Sequence, residues 1–114
     1  MATDQYLYLF IRTDLSPEVQ MVQCAHATFE LGLDLNRSKH PEPVNFVLIG
    51  INSERELIQI KRDLERDGIQ FHLFHEPDYG TGYTALATEP LRGDERNRFA
   101  DYPIYKRKRD FVAA

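Results

Sequence analysis

Residues 6–11, YLYLFI, form an unbroken run of aromatic and aliphatic side chains. A run of that length and β-rich composition predicts a strand at the centre of a sheet. Ser16, Pro17 and Glu18 then mark a helix start: a capping hydroxyl, a proline at the first helical position, and an acidic group where the helix dipole favours one. Val19, Val22, His26, Phe29 and Leu33 recur at three- and four-residue steps, which predicts that they share the buried face of this helix, His26 included. Residues 36–43 gather Asn, Arg, Ser, Lys, His and two prolines and predict an exposed loop.

Residues 44–51 are a second apolar run of strand length. Ser53 followed by Glu56 has the spacing of a capping box and opens a second helix running to about Asp67. Leu57, Ile60 and Leu64 supply its buried side, and Gly68 is placed for a left-handed C-terminal cap. Residues 69–74 predict a third strand, 76–82 a turn with Pro77, Gly80 and Gly82, and 84–88 a fourth strand pairing with the third. Residues 94–100 predict a short final helix, and 103–106 an extended segment.

Strands and helices alternating in this way predict an α/β domain of three layers, α/β/α, with helices on both faces of a mixed, mainly four-stranded sheet. An antiparallel α+β sandwich of ferredoxin type fits less well, because the last two strands follow each other without a helix between them. At 114 residues the chain is read as a single domain spanning 1–114.

Composition narrows the function classes. Hydrophobic residues make up 42% and charged residues 28%, ordinary for a chain that packs a core. The net charge of −4 disfavours a protein gripping a long phosphate backbone over much of its surface, since such binding depends on Lys and Arg. Lys106, Arg107, Lys108 and Arg109 form one local basic cluster, which is read as a solvated tail. No apolar run approaches the roughly 20 residues needed to cross a bilayer, and residues 1–5 do not read as a leader. With a single cysteine, Cys24, the expected compartment is the reducing cytoplasm. No cofactor is expected. Gly80-Thr81-Gly82 lacks the lysine and helix of a phosphate loop, and His75, Glu76 and Asp78 are too few and too adjacent to form a metal centre without further partners.

The candidate chemistry concentrates between residues 72 and 84. Glu76 and Asp78 place two carboxylates on one loop, where like charges are expected to raise one pKa and poise that group for proton transfer; a solvated acidic turn is the alternative. His72 and His75 project to opposite faces of a strand, so at most one joins such a site. Tyr79 and Tyr83 bracket the glycines and offer rings for stacking on a base, or else for packing over the sheet edge. His26 is read either as an acid/base or ligand-contacting imidazole or as a core histidine.

Three segments together resemble the type 2 peptidyl-tRNA hydrolase family and span most of the chain. Arg12-Thr13-Asp14-Leu15 after the first strand, with Gln23-Cys24-Ala25-His26-Ala27 in the helix, looks like that family's Asp-Leu turn and Gln-Cys-x-His-Ala helix. Residues 44–68 resemble its middle strand and helix. Residues 73–90, with Thr84-Ala85-Leu86-Ala87 and Pro90, look like its late strand, loop and Thr-Val-Leu-Ala-x-x-Pro strand.

The resemblance implies cleavage of the ester joining a peptide to tRNA, using an early helical lysine and a late aspartate and threonine. Val19 stands at the lysine position, leaving Arg12 as the nearby cation, and Glu76-Pro77-Asp78 replaces the family's Asp-Ala-Gly in a loop shorter by several residues. The expected catalytic residues are therefore Glu76, Thr84 and His26. Arg12, Asp14, Gln23, Asp78, Tyr79, Thr81 and Tyr83 are expected to contact ligand. The expected partner is peptidyl-tRNA, or alternatively a smaller nucleotide-like ligand held in the same cleft. A homodimer through an unpaired sheet edge is a further expectation. Small divergent members of this kind resemble proteins expected of bacteriophage genomes.

Overall fold

The structure is a computed structural model that describes residues 4–40 and 42–105. The basic cluster at 106–109 lies outside the described residues. Four strands, β1 (Tyr6–Arg12), β2 (Asn45–Ile51), β3 (Phe71–Glu76) and β4 (Gly82–Thr88), form one sheet in the order β2-β1-β4-β3. β1 runs parallel to β2 and antiparallel to β4, and β3 and β4 pair antiparallel, so the sheet is mixed and β1 is central as its composition predicts. Helices α1 (Pro17–Asp34) and α2 (Glu54–Arg66) lie on opposite faces.

Alternation along β1 divides the core in two. Tyr8 and Phe10 point to the α2 face, where they pack with Leu57, Ile60, Leu64 and Phe99. Leu7, Leu9 and Ile11 point to the α1 face, with Ala27, Leu31, Ala85 and Ala87. Phe99 belongs to Gly93–Phe99, a run of 3₁₀ helix where residues 94–100 predict a short helix.

α2 is built as its sequence predicts. Ser53 Oγ accepts from the Glu56 amide, and Gly68, at φ 71°, carries the chain out. The Gly68 amide donates to the Glu65 carbonyl and the Ile69 amide to that of Leu64, the paired bonds of a Schellman cap. That cap consumes Ile69, which is why β3 starts at Phe71 rather than at 69. Ser16, by contrast, has the extended backbone of an N-cap but makes no side-chain cap bond, and α1 starts on Pro17 instead.

The buried face of α1 is not the expected one. Gln20, Gln23, Ala27 and Leu31 are buried, whereas Val22, Phe29 and Leu33 are exposed at 53, 66 and 64% and His26 is also exposed. α1 carries two stripes, and the sheet receives the less apolar one. Ala27 lies against Ala85 and Ala87, a pairing of small side chains that allows close approach, and the two glutamines find partners when buried: Gln20 Nε2 donates to the Leu15 carbonyl at 2.7 Å, and Gln23 bonds Thr84 and Glu76.

Candidate functional site

Parallel β1 and β2, with β3 running the same way, bring the carboxyl ends of three strands to one end of the sheet. The N-termini of α1 and α2 and the start of β4 are there too. This is where open α/β sheets place ligands. The residues singled out from sequence collect at this end.

At its centre is a hydrogen-bonded chain. Thr84 Oγ1, fully buried, donates to Gln23 Oε1 at 2.7 Å, and Gln23 Nε2 donates to Glu76 Oε2 at 3.2 Å. Strand alternation alone would turn Thr84 away from α1, since Ala85 and Ala87 already face it. An irregularity solves this: Phe74 pairs with Ala85 and His75 with Tyr83, leaving Thr84 as an extra residue in β4. Such a bulge re-aims a side chain. Thr84 thereby reaches Gln23, while Tyr83 packs toward the α2 core and makes an edge contact with His75.

The chain ends in an ionised carboxylate. Its pKa is not raised by a like-charged neighbour as the sequence predicts: Glu76 is held below the usual carboxylate range, chiefly by the bond from Gln23, and further by the Asp78 amide and the nearby His26. His26 is not a core histidine: it is exposed, with its ring stacked on Phe74 at 4.3 Å between centroids. Glu76, Thr84, Gln23 and His26 are thus brought together. His75 turns to the other face with Tyr83, as the opposition of the two strand histidines predicts.

Arg12 does not serve as a free cation. Its Nε and one terminal nitrogen bond both Asp14 carboxylate oxygens, at 3.0 and 2.8 Å, while the other donates to the Thr81 and Tyr83 carbonyls at 2.7 and 2.9 Å. Four bonds occupy the fork, its side chain is 11% exposed, and Asp14 is held below the ordinary carboxylate range by the same pairing. Arg12 and Asp14 therefore clamp the turn that leads into β4. Thr81 belongs to that turn as well, its hydroxyl donating to the Asp78 carbonyl at 2.8 Å. Tyr79, at the turn's tip, is fully exposed and held at φ 58°, a left-handed conformation that a non-glycine residue rarely adopts.

Sequence reasoning missed Glu54. From the first turn of α2 it accepts the Tyr83 amide at 2.7 Å, and a Cβ on Gly82 would collide with its Oε2. The glycine was visible in the sequence, but its partner 28 residues away was not. Among the described residues, no group of three or more His, Cys, Asp or Glu side chains could hold a metal ion. No helix among them is long and apolar enough to cross a membrane.

No family model matches the chain, and no curated protein matches it in sequence. Among solved structures, the chain is similar to a protein of unknown function from Agrobacterium tumefaciens, with a TM-score of 0.62 at 13% identity, over 92% of this chain and all of the other. That likeness extends to the fold alone: the chain is an α/β domain with a four-stranded mixed sheet.

Proposed function

We propose that this chain is a divergent member of the type 2 peptidyl-tRNA hydrolase fold and that its site hydrolyses an ester, with peptidyl-tRNA as the substrate class. The observation that supports the reading is the Thr84–Gln23–Glu76 chain. It fixes an ionised carboxylate at the carboxyl end of the sheet, with its orientation set by a buried amide. Glu76 accepts a proton from the attacking water, and the stacked imidazole of His26 lies beside it to hold the reacting groups. Tyr79, exposed at the tip of the adjoining turn, offers a ring to the terminal base of the tRNA.

The engagement of Arg12 favours a second reading, in which the same cleft takes a small nucleotide-like ligand. No family lysine is present at Val19, and Arg12 is committed to Asp14 and main-chain carbonyls. One experiment separates the two. Purified protein is assayed for release of free tRNA from an N-blocked aminoacyl-tRNA, beside Glu76→Gln. Hydrolysis that falls roughly a hundredfold or more in the variant is expected of a general base. No release above the uncatalysed loss sinks the ester reading. Adenosine nucleotide binding that survives Glu76→Gln would then support the second.

A further inference from the structure

Glu54 opens α2, on the face of the sheet away from α1, yet its carboxylate reaches the stretch of backbone that aims Thr84. β1 and β4 pair only as far as Ile11 and Ala85, and beyond that point the Thr13 amide donates to the Ile51 carbonyl of β2. Tyr83 therefore has no strand beside it on the β1 side, and its main-chain N–H and C=O must be satisfied in another way. Two side chains do so. Glu54 Oε2 accepts the Tyr83 amide at 2.7 Å, and Arg12 donates to the Tyr83 carbonyl at 2.9 Å. The residue before the extra Thr84 is held at both of its main-chain polar groups, by an anion from α2 and a cation from the end of β1.

We propose that Glu54 is a positioning residue of this site: by fixing the Tyr83 amide it holds the bulge that turns Thr84 to α1, and through Thr84 it keeps Gln23 aimed at Glu76. The contacts are continuous. From Tyr83 the backbone passes directly to Thr84, Thr84 Oγ1 donates to Gln23 at 2.7 Å, and Gln23 donates to Glu76 at 3.2 Å. Gly82 makes room for the Glu54 carboxylate, since a Cβ there would collide with it, and a φ of 79° is one that glycine adopts without penalty. The helix dipole accounts for an acid in the first turn of α2, but Glu56 shares that turn, and what sets Glu54 apart is the bond across to β4. Arg12 supplies the other half of the hold while also bonding Asp14 and Thr81, so Glu54 is the cleaner point at which to release Tyr83.

Carboxyl NMR of Glu76 tests the proposal, with Glu54→Ala, Glu54→Gln and Glu56→Ala beside the native protein. Glu54 is half-buried and Glu56 exposed, so the variants are expected to keep the native circular dichroism. His26 and Asp78, the other groups that act on Glu76, are kept in all three. Loss of a negative charge by itself lowers the pKa of a neighbouring carboxyl group, whereas loss of the bond from Gln23 raises it. Glu54→Ala should therefore move the Glu76 titration upward, against the direction of the charge effect. Glu54→Gln keeps an acceptor oxygen and should leave the titration at or below its native position. Glu56→Ala removes an acid from the same helical turn without releasing Tyr83, and should leave Glu76 unmoved.

A Glu76 titration that stays put or falls in Glu54→Ala would overturn the proposal. An upward shift in Glu54→Gln equal to that in Glu54→Ala would overturn it too, because the hold would then not be the bond to Tyr83. An equal rise in Glu56→Ala would reduce the effect to the stability of α2 and overturn it likewise. The catalytic consequence rests on the ester reading. Where the native protein releases tRNA, Glu54→Ala should lower kcat by on the order of ten- to a hundredfold with little change in KM, the size of effect that a displacement of about 1 Å causes, and Glu54→Gln should recover most of it. An undiminished kcat in Glu54→Ala would overturn the catalytic part. A native protein without turnover counts against the ester reading alone, since the Glu76 titration still decides whether Glu54 positions the chain.

Discussion

Replacing Gln23 with methionine keeps the length of the side chain and removes both of its polar ends. Thr84 Oγ1, fully buried and 2.7 Å from the lost acceptor, is left with a donor that no water can reach. An unsatisfied buried polar group costs about 1–3 kcal/mol, whereas replacing both partners by apolar groups of similar shape is close to neutral. Gln23→Met should therefore destabilise by that amount. Thr84→Val in the same background should recover much of the loss, giving a coupling energy of about 1 kcal/mol or more in the double-mutant cycle. With urea slopes of about 1–3 kcal/mol/M, the single variant shifts the unfolding midpoint by roughly 1 M.

The other end of Gln23 supplies a second readout. Its amide is the main cause of the low Glu76 pKa, so the variant should titrate Glu76 nearer the ordinary carboxylate range, followed by carboxyl NMR. The sign follows from linkage: a depressed folded pKa stabilises the protein above the unfolded pKa, and that stability is lost as pH falls through the folded value. Gln23→Met should therefore flatten the acid limb of the native stability profile. Additive single-variant effects together with an unmoved Glu76 titration would refute the hydrogen-bonded chain.

Gly82→Ala should cost at least about 1–2 kcal/mol, because Gly82 sits at φ 79° and a Cβ there displaces the Glu54 carboxylate; thermal unfolding measures it. Arg12→Lys exchanges a planar fork bonded to four acceptors for a point charge. Amide hydrogen exchange of residues 78–83 should rise in that variant while α2 keeps its protection. Burial pushes the Cys24 thiol up to about 11, so at pH 8 the folded protein should react with a disulfide reagent far more slowly than the protein unfolded in urea; equal rates would contradict the burial.

Much of this architecture was legible in the chain. The apolar runs at 6–11 and 44–51, the Ser53 start and the Gly68 stop of α2, and the helix-free passage from β3 to β4 are local signals, and each specifies an element because propensity and burial agree there. Glu76, Thr84 and Gln23 could be singled out as residue types in suggestive places. The sequence could not join them, because the bulge that turns Thr84 to α1 depends on the register of β4 against β3, and register is a pairing between distant segments. It also could not choose between the two stripes of α1. Periodicity identifies a coherent apolar face, and Val22, Phe29 and Leu33 form one, but which face meets the sheet is decided by what the sheet offers. Here Ala85 and Ala87 admit Ala27, and Thr84 and Glu76 satisfy Gln23, so the bulkier apolar side chains are left outside.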